Sequence, residues 1–297
     1  MPIKDEIDLA NNPRPLGPVG EGRSPARDGA IVSPVLDFEN IVQEFRSPQG
    51  DGSLRVLDGI SFDVKPGQFT AVVGPSGCGK STLLQMAAGL LFPTSGSVHY
   101  QGHKIRTVNR YIGFVPQQAQ LLPWKTLREN VELPLVLRHV AAEIREQRVR
   151  EILATVGLSG FENHYPHQLS GGMQKRASIA RTLIYSPAVV LMDEPFGALD
   201  AQTRMIMQND LQTLWTRQGT TILFVTHDLT EAILLADNVI LLGRQPTMLK
   251  ADIPVRLVRP RNVFQPFHTV GFAELYDEVW TIFQSEIGRP IALSNAG

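Results

Sequence analysis

The chain has 297 residues, 43% hydrophobic content and a formal net charge of −1, which suits a globular protein with an ample core. The near-neutral charge argues against a dedicated nucleic-acid binder. The single cysteine, Cys78, rules out an internal disulfide and suits a reducing setting, and no apolar run approaches the ~18 residues of a membrane span. Met1–Glu6 has neither the basic nor the apolar region of a secretory signal. Residues 1–33 are rich in Pro, Gly, Asn and charge without apolar periodicity, so a disordered extension is expected. Order is expected to begin near Val35, with strands at Leu54–Leu57 and Ile60–Val64 and a turn at Lys65–Gly67.

The apolar, β-branched run Phe69–Val73 predicts a strand, and Ser81–Ala88 predicts a helix. Between them, Gly74-Pro75-Ser76-Gly77-Cys78-Gly79-Lys80-Ser81, followed by Thr82, fits the phosphate-cradling pattern G-x-x-x-x-G-K-[ST]. Glycines let backbone N–H groups turn around an anion, and the following helix N-terminus adds a favourable dipole. Lys80 supplies an ammonium for the outer phosphates, and the Ser81 hydroxyl suits Mg²⁺. The pattern implies a bound nucleoside triphosphate. Cys78 inside the loop reads as a small residue in a tight turn, with a redox-sensing thiol as the alternative.

Further along, Tyr111–Pro116 predicts a strand ending at Gln117, and Ala142–Val156 predicts a helix closed by Gly157. Leu169-Ser170-Gly171-Gly172 precedes a helix expected from about Met173 to Leu183, with Ser170 as N-cap, which makes a second anion cradle. The unbroken apolar run Ala188–Met192 predicts a strand buried on both faces, ending in Asp193-Glu194. Asp193 is placed to hold Mg²⁺, and Glu194 to orient an attacking water. Thr220–Thr226 predicts a strand ending at His227. In open α/β sheets ligands bind at such carboxyl ends, so four of them point to one site. Two cradles with one P-loop mean either two nucleotides per chain or sites completed by a two-fold partner, the simpler geometry. Phe272, Leu275, Tyr276, Val279, Ile282 and Phe283 share one face of a C-terminal helix, expected to dock on its own domain.

From about Leu36 to Arg259 the chain resembles the ATP-binding subunit of ABC transporters. The resemblance rests on the P-loop, Gln117 as Q-loop, Leu169–Gln174 as signature, Asp193-Glu194, Ala198-Leu199-Asp200 as D-loop and His227 as switch histidine, in that order. It implies a RecA-like α/β P-loop NTPase core with an N-terminal antiparallel β-subdomain and a helical signature subdomain around 118–172, within a domain spanning 34–262 and followed by a C-terminal helical extension, 263–297. It also implies a head-to-tail dimer of two copies sandwiching ATP and Mg²⁺. In that sandwich Lys80, Gln117, Glu194 and His227 serve catalysis, and Ser81, Gln117 and Asp193 serve the metal. The resemblance places Gly74–Thr82 on one copy and Ser170–Gly172 on the other around the nucleotide, with Asp200 at the dimer contact and Phe45 at the adenine-stacking position usually held by Tyr. Leu121–Val131 and Phe196–Asp200 look like the branch importing nitrate, sulfonates, taurine and similar small solutes. That implies a membrane permease, an extracytoplasmic solute-binding protein, and a peripheral position on the cytoplasmic face of the inner membrane. Trp124 lies where the family meets its permease; the alternative is a core residue of the helical subdomain. A soluble ABC ATPase of DNA repair or translation is the rival reading, but the chain has neither a second cassette nor basic arms, and no nucleic-acid partner is expected.

Overall fold

The computed structural model describes residues 33–46, 52–197 and 199–287; the expected N-terminal extension falls almost entirely outside them, as does Ala198 of the D-loop. The elements run β1 (Leu36–Arg46), β2 (Ser53–Val64), β3 (Phe69–Val73), α1 (Lys80–Ala87), β4 (Ser95–Tyr100), β5 (His103–Lys104) and β6 (Ile112–Val115). They continue with α2 (Leu127–Leu137), α3 (Ala142–Thr155), α4 (Gly171–Leu183), β7 (Val189–Asp193), α5 (Ala201–Gln218), β8 (Thr221–Thr226), α6 (Leu229–Leu235), β9 (Asn238–Leu242), β10 (Leu249–Pro254) and α7 (Phe272–Ile287).

Two sheets carry the fold. One is antiparallel in the order β2-β1-β4-β5; the other runs β10-β9-β3-β8-β7-β6, parallel from β9 to β6 with β10 antiparallel on the edge. Every residue of β3, β7 and β8 is buried, as their unbroken apolar runs require of a sheet covered on both faces. Alternate residues go to different cores. Ala71, Val73, Val190, Met192, Ile222 and Phe224 pack with the helical side, while Val72, Val189, Leu191, Leu223 and Val225 pack with α1 and the antiparallel sheet. The parallel sheet is therefore the partition between two hydrophobic cores, and its carboxyl edge is held from both sides.

Two sequence expectations change. The strands expected at Leu54–Leu57 and Ile60–Val64 form one continuous β2, because Gly59 at φ +71 and register shifts against β1 absorb the irregularity without breaking the ladder. The helix expected from Met173 begins at Gly171, two residues earlier, because the Ser170 cap rather than the first apolar residue sets its start. The C-terminal stripe is docked: α7 buries Phe272, Val279 and Phe283 in the helical-side core. Arg261, buried beneath α6, donates to the carbonyls of Ile233 and Leu234 near the end of that helix, at 2.8 and 3.3 Å, and to Ala236 just past it, at 2.5 Å. Burial lowers its pKa to about 10.

Candidate nucleotide site at the carboxyl edge of the parallel sheet

The P-loop leaves β3 and enters α1 through two left-handed glycines, Gly77 at φ +78 and Gly79 at φ +95. At Gly79 the packing also demands glycine, since an added Cβ would lie 2.7 Å from Leu57 Cδ2. Lys80 is buried and its Nζ donates to the carbonyls of Gly74 at 2.8 Å and Pro75 at 2.9 Å, so the ammonium lies folded along its own loop. The Pro75 carbonyl also accepts from Cys78 N at 3.3 Å. Ser76 and Gly77 are exposed and Thr82, the third residue of α1, is half-buried. Cys78 is 2% exposed, and burial pushes its thiol pKa up against the opposing pull of Lys80. A buried, protonated thiol is inert, which removes the redox alternative.

Three strand ends converge beside this loop. Ser81 Oγ donates to Asp193 Oδ1 at 3.0 Å, joining α1 to β7. Burial raises the Asp193 pKa, with the Ser81 hydrogen bond opposing, Glu194 adding to the rise, and Lys175 and Lys80 opposing it. Glu194 follows at φ +39, a left-handed backbone that costs a non-glycine residue about 1–3 kcal/mol and is characteristic of functional positions. Its N–H donates to the Val225 carbonyl of β8 at 2.9 Å, which holds it in place. One oxygen of its carboxylate, Oε2, receives both the Gln117 Nε2 amide at 3.3 Å and the His227 Nδ1 contact at 3.3 Å. Residues 117, 194 and 227, far apart in sequence, thus meet at a single atom.

The remaining residues lie elsewhere. Ser170 caps α4, its Oγ accepting from Met173 N at 3.3 Å. Gly172 sits against Thr203 and Leu199, and Gly171 is exposed with nothing near a would-be Cβ. Asp200 caps α5, accepting from Thr203 N at 3.0 Å, and that backbone donor holds its carboxyl below the usual range. Phe45, opposite Leu54 near the open end of β1, is 41% exposed and so is no core residue. Trp124 is 70% exposed, which excludes the core alternative. The loop bearing it is fixed instead by fully buried Asn130, whose Oδ1 accepts from Leu122 N at 2.7 Å and whose Nδ2 donates to the carbonyls of Leu122, Lys125 and Thr126 at 3.0–3.1 Å.

Two supporting residues escaped the sequence reading. Lys175 on α4 is buried and donates to the Pro116 and Gln117 carbonyls at 2.6 and 2.9 Å, and burial lowers its pKa to about 8 against the attraction of Asp193. Glu231 on α6 is buried and accepts from Thr226 Oγ1 at 2.6 Å and Gln208 Nε2 at 3.1 Å. Thr226 Oγ1 in turn accepts from Asp228 N at 3.1 Å, so Glu231 braces the loop that presents His227. The only local signal for Lys175 was a lysine one turn into an otherwise core-facing helix, and for Glu231 the [ST]-x-x-x-x-E spacing from Thr226.

A P-loop on the central strand of a parallel sheet, with an acidic pair at the next-but-one strand end, defines a P-loop nucleotide triphosphatase. Residues 57–197 match the family described as ABC transporter. An ABC transporter ATP-binding protein of Methanocaldococcus jannaschii, itself uncharacterised, is 41% identical over 252 residues, 85% of this chain and 92% of its own. An aliphatic sulfonates import ATP-binding protein, SsuB, of Bacillus thuringiensis subsp. konkukian is 41% identical over 223 residues, 75% of this chain and 87% of its own. A dimeric ATP-binding cassette solved in a post-hydrolysis state with ADP and Pi superposes with a TM-score of 0.67 at 33% identity, over 74% of this chain and 99% of that one. The chain belongs to the ATP-binding proteins of ABC transporters and is an ATPase.

Proposed function

We propose that the chain is the ATP-hydrolysing subunit of an importer for a small solute such as a sulfonate, taurine or nitrate, acting as a head-to-tail dimer on a separate permease at the cytoplasmic face of the membrane. The observation that carries the chemistry is the Glu194 carboxylate, held at φ +39 with Gln117 and His227 both on Oε2. A carboxylate so restrained suits the orientation and polarisation of an attacking water. His227 and Gln117, sharing that oxygen, suit contact with the transferring phosphoryl group, and Lys80 with the loop N–H groups suits the stabilisation of its charge. The Ser81 hydroxyl and Asp193 carboxylate, 3.0 Å apart, form the oxygen donor set that a hard cation prefers, so Ser81, Asp193 and the Gln117 side chain would hold Mg²⁺. When bound, that ion supplies charge neutralisation for the phosphate oxygens.

The sandwich is supported by the dimeric relative and by Gly171, around which the described residues leave open space where a side chain would fit. Close approach of a second copy's nucleotide supplies a reason for glycine there. Phe45, exposed near the open end of β1, suits adenine stacking, and Asp200 suits the dimer contact. The importer branch is supported by the sulfonate-import relatives, and no described helix is long and apolar enough to cross a membrane. Replacing Glu194 with Gln tests the chemistry. Turnover should fall by roughly 10²-fold or more, the scale of a lost general base, while ATP affinity stays near normal because Lys80 and the backbone donors remain. Parallel measurement of ATPase rate and nucleotide binding decides it, and near-normal turnover would take Glu194 out of the mechanism.

A further inference from the structure

The turn between β9 and β10 touches the P-loop. Gln245 Nε2 donates to the Gly77 carbonyl at 2.6 Å, a contact between residues 168 apart in the chain. The base of the turn is firmly held. Gly243 N donates to Met248 O at 3.0 Å, Thr247 N to Val56 O at 2.9 Å, and Asp58 N to Thr247 O at 2.8 Å, which fastens the turn to β2. From the other side Glu286, in the last turn of α7, accepts from Arg244 N at 3.3 Å and pairs with Lys250 Nζ at 3.0 Å. Gln245 is therefore an exposed side chain reaching out from a fixed platform.

Its target is an exposed glycine of the phosphate loop. Gly77 is exposed and sits at φ +78, and among the described residues nothing lies near a would-be Cβ, so side-chain packing there does not brace the turn. An anion cradle works only while N–H groups, and not carbonyl oxygens, face the anion. A free carbonyl at the tip of a glycine turn is the group most able to rotate toward the ligand and repel it. The Gly77–Cys78 peptide is gripped at both ends: Gln245 on its carbonyl, and the Pro75 carbonyl on its N–H at 3.3 Å.

We propose that Gln245 is a positioning residue for nucleotide binding, whose amide keeps the Gly77 carbonyl engaged and so preserves the donor geometry of the phosphate loop. This rests on reading Gly74–Ser81 as the nucleotide site. The test uses the full chain and steady-state ATPase kinetics with Gln245→Ala and Gln245→Met, the second keeping size without a donor. Both should raise KM for ATP by roughly three- to tenfold, the scale of one hydrogen bond, with kcat within about twofold. The thermal midpoint without nucleotide should be unchanged in both. Normal KM in either variant overturns the proposal, since Gln245→Met at wild-type KM would reduce the role to packing. A fall of many degrees in both would make Gln245 a structural residue and overturn it equally. Lys80→Ala separates the two levels. Retained ATP binding there sinks the reading of the loop itself, whereas lost binding there with unchanged Gln245→Met kinetics sinks only the positioning role.

Discussion

Asp193 is a carboxylate kept where a carboxylate is uncomfortable. Burial raises its pKa above the ordinary 3.8, with Glu194 adding to the rise and Ser81, Lys175 and Lys80 only partly opposing it. Between 3.8 and the raised folded value the native chain holds a proton that the unfolded chain has released. The contribution of this group to stability is therefore full below 3.8 and is lost as pH rises through the folded value. At neutral pH the ionised side chain is a net burden in the nucleotide-free protein. Asp193→Asn keeps an acceptor for Ser81 without the charge, so it should raise the thermal midpoint at pH 7, by roughly 2–4 °C for each kcal/mol relieved. The gain should vanish near pH 4, and turnover should be lost if Asp193 holds the metal as proposed. Melting curves at the two pH values, beside an ATPase assay, check it. Residues such as Asp193, Glu194 and His227 were legible in the sequence because each ends an unmistakable strand. Lys175 was not: its partners, Pro116 and Gln117, lie nearly sixty positions away, and no local periodicity encodes that pairing.

Among the elements, the run-type strands β3, β7 and β8 and the docked α7 stripe could be read directly, because burial on both faces or one leaves a plain hydrophobic pattern. Boundaries governed by side-chain bonds are read less closely, even where, as at Ser170, the capping residue itself is recognised. The start of α4 is set two residues early by Ser170, and α2 begins at a reciprocal cap, Thr126 with Glu129 at 3.2 and 2.8 Å, for which no separate helix start was expected. The gap expected between Leu57 and Ile60 is only an irregularity in β2. The α4 start is also where the sandwich is most exposed to test. Ser170→Arg removes the cap and sets bulk and charge on the exposed signature loop, so ATPase activity of that variant alone should disappear. Mixed with Lys80→Ala protein, it forms dimers with one doubly damaged site and one intact site, and partial activity should return. A fully active Ser170→Arg protein would show that the loop belongs to no site.

At the level of the whole molecule, the outward face is as telling as the cleft. Trp124 is 70% exposed on a loop that Asn130 holds through four hydrogen bonds to backbone groups, so the indole is not what keeps the loop in shape. Trp124→Ala should therefore leave the melting point and basal ATPase of the isolated protein near wild type, unlike the ~3–5 kcal/mol loss of a buried tryptophan. In vesicles reconstituted with the permease it should weaken assembly or separate hydrolysis from transport. A strongly destabilised free protein would end the interface role. Under the proposed importer role, a signal arriving from the permease would have a short way to travel. Lys175 stands five residues into α4 from Ser170, roughly 7.5 Å along the axis, and grips the backbone of the glutamine that touches Glu194. One helix thus carries at its tip the Ser170 loop, proposed to face the neighbouring copy, and, about one turn later, the Lys175 clasp on the backbone of Gln117. In the proposed sandwich, a tilt of that helix would register in both clefts at once, and the two half-reactions of the pair would be geared together.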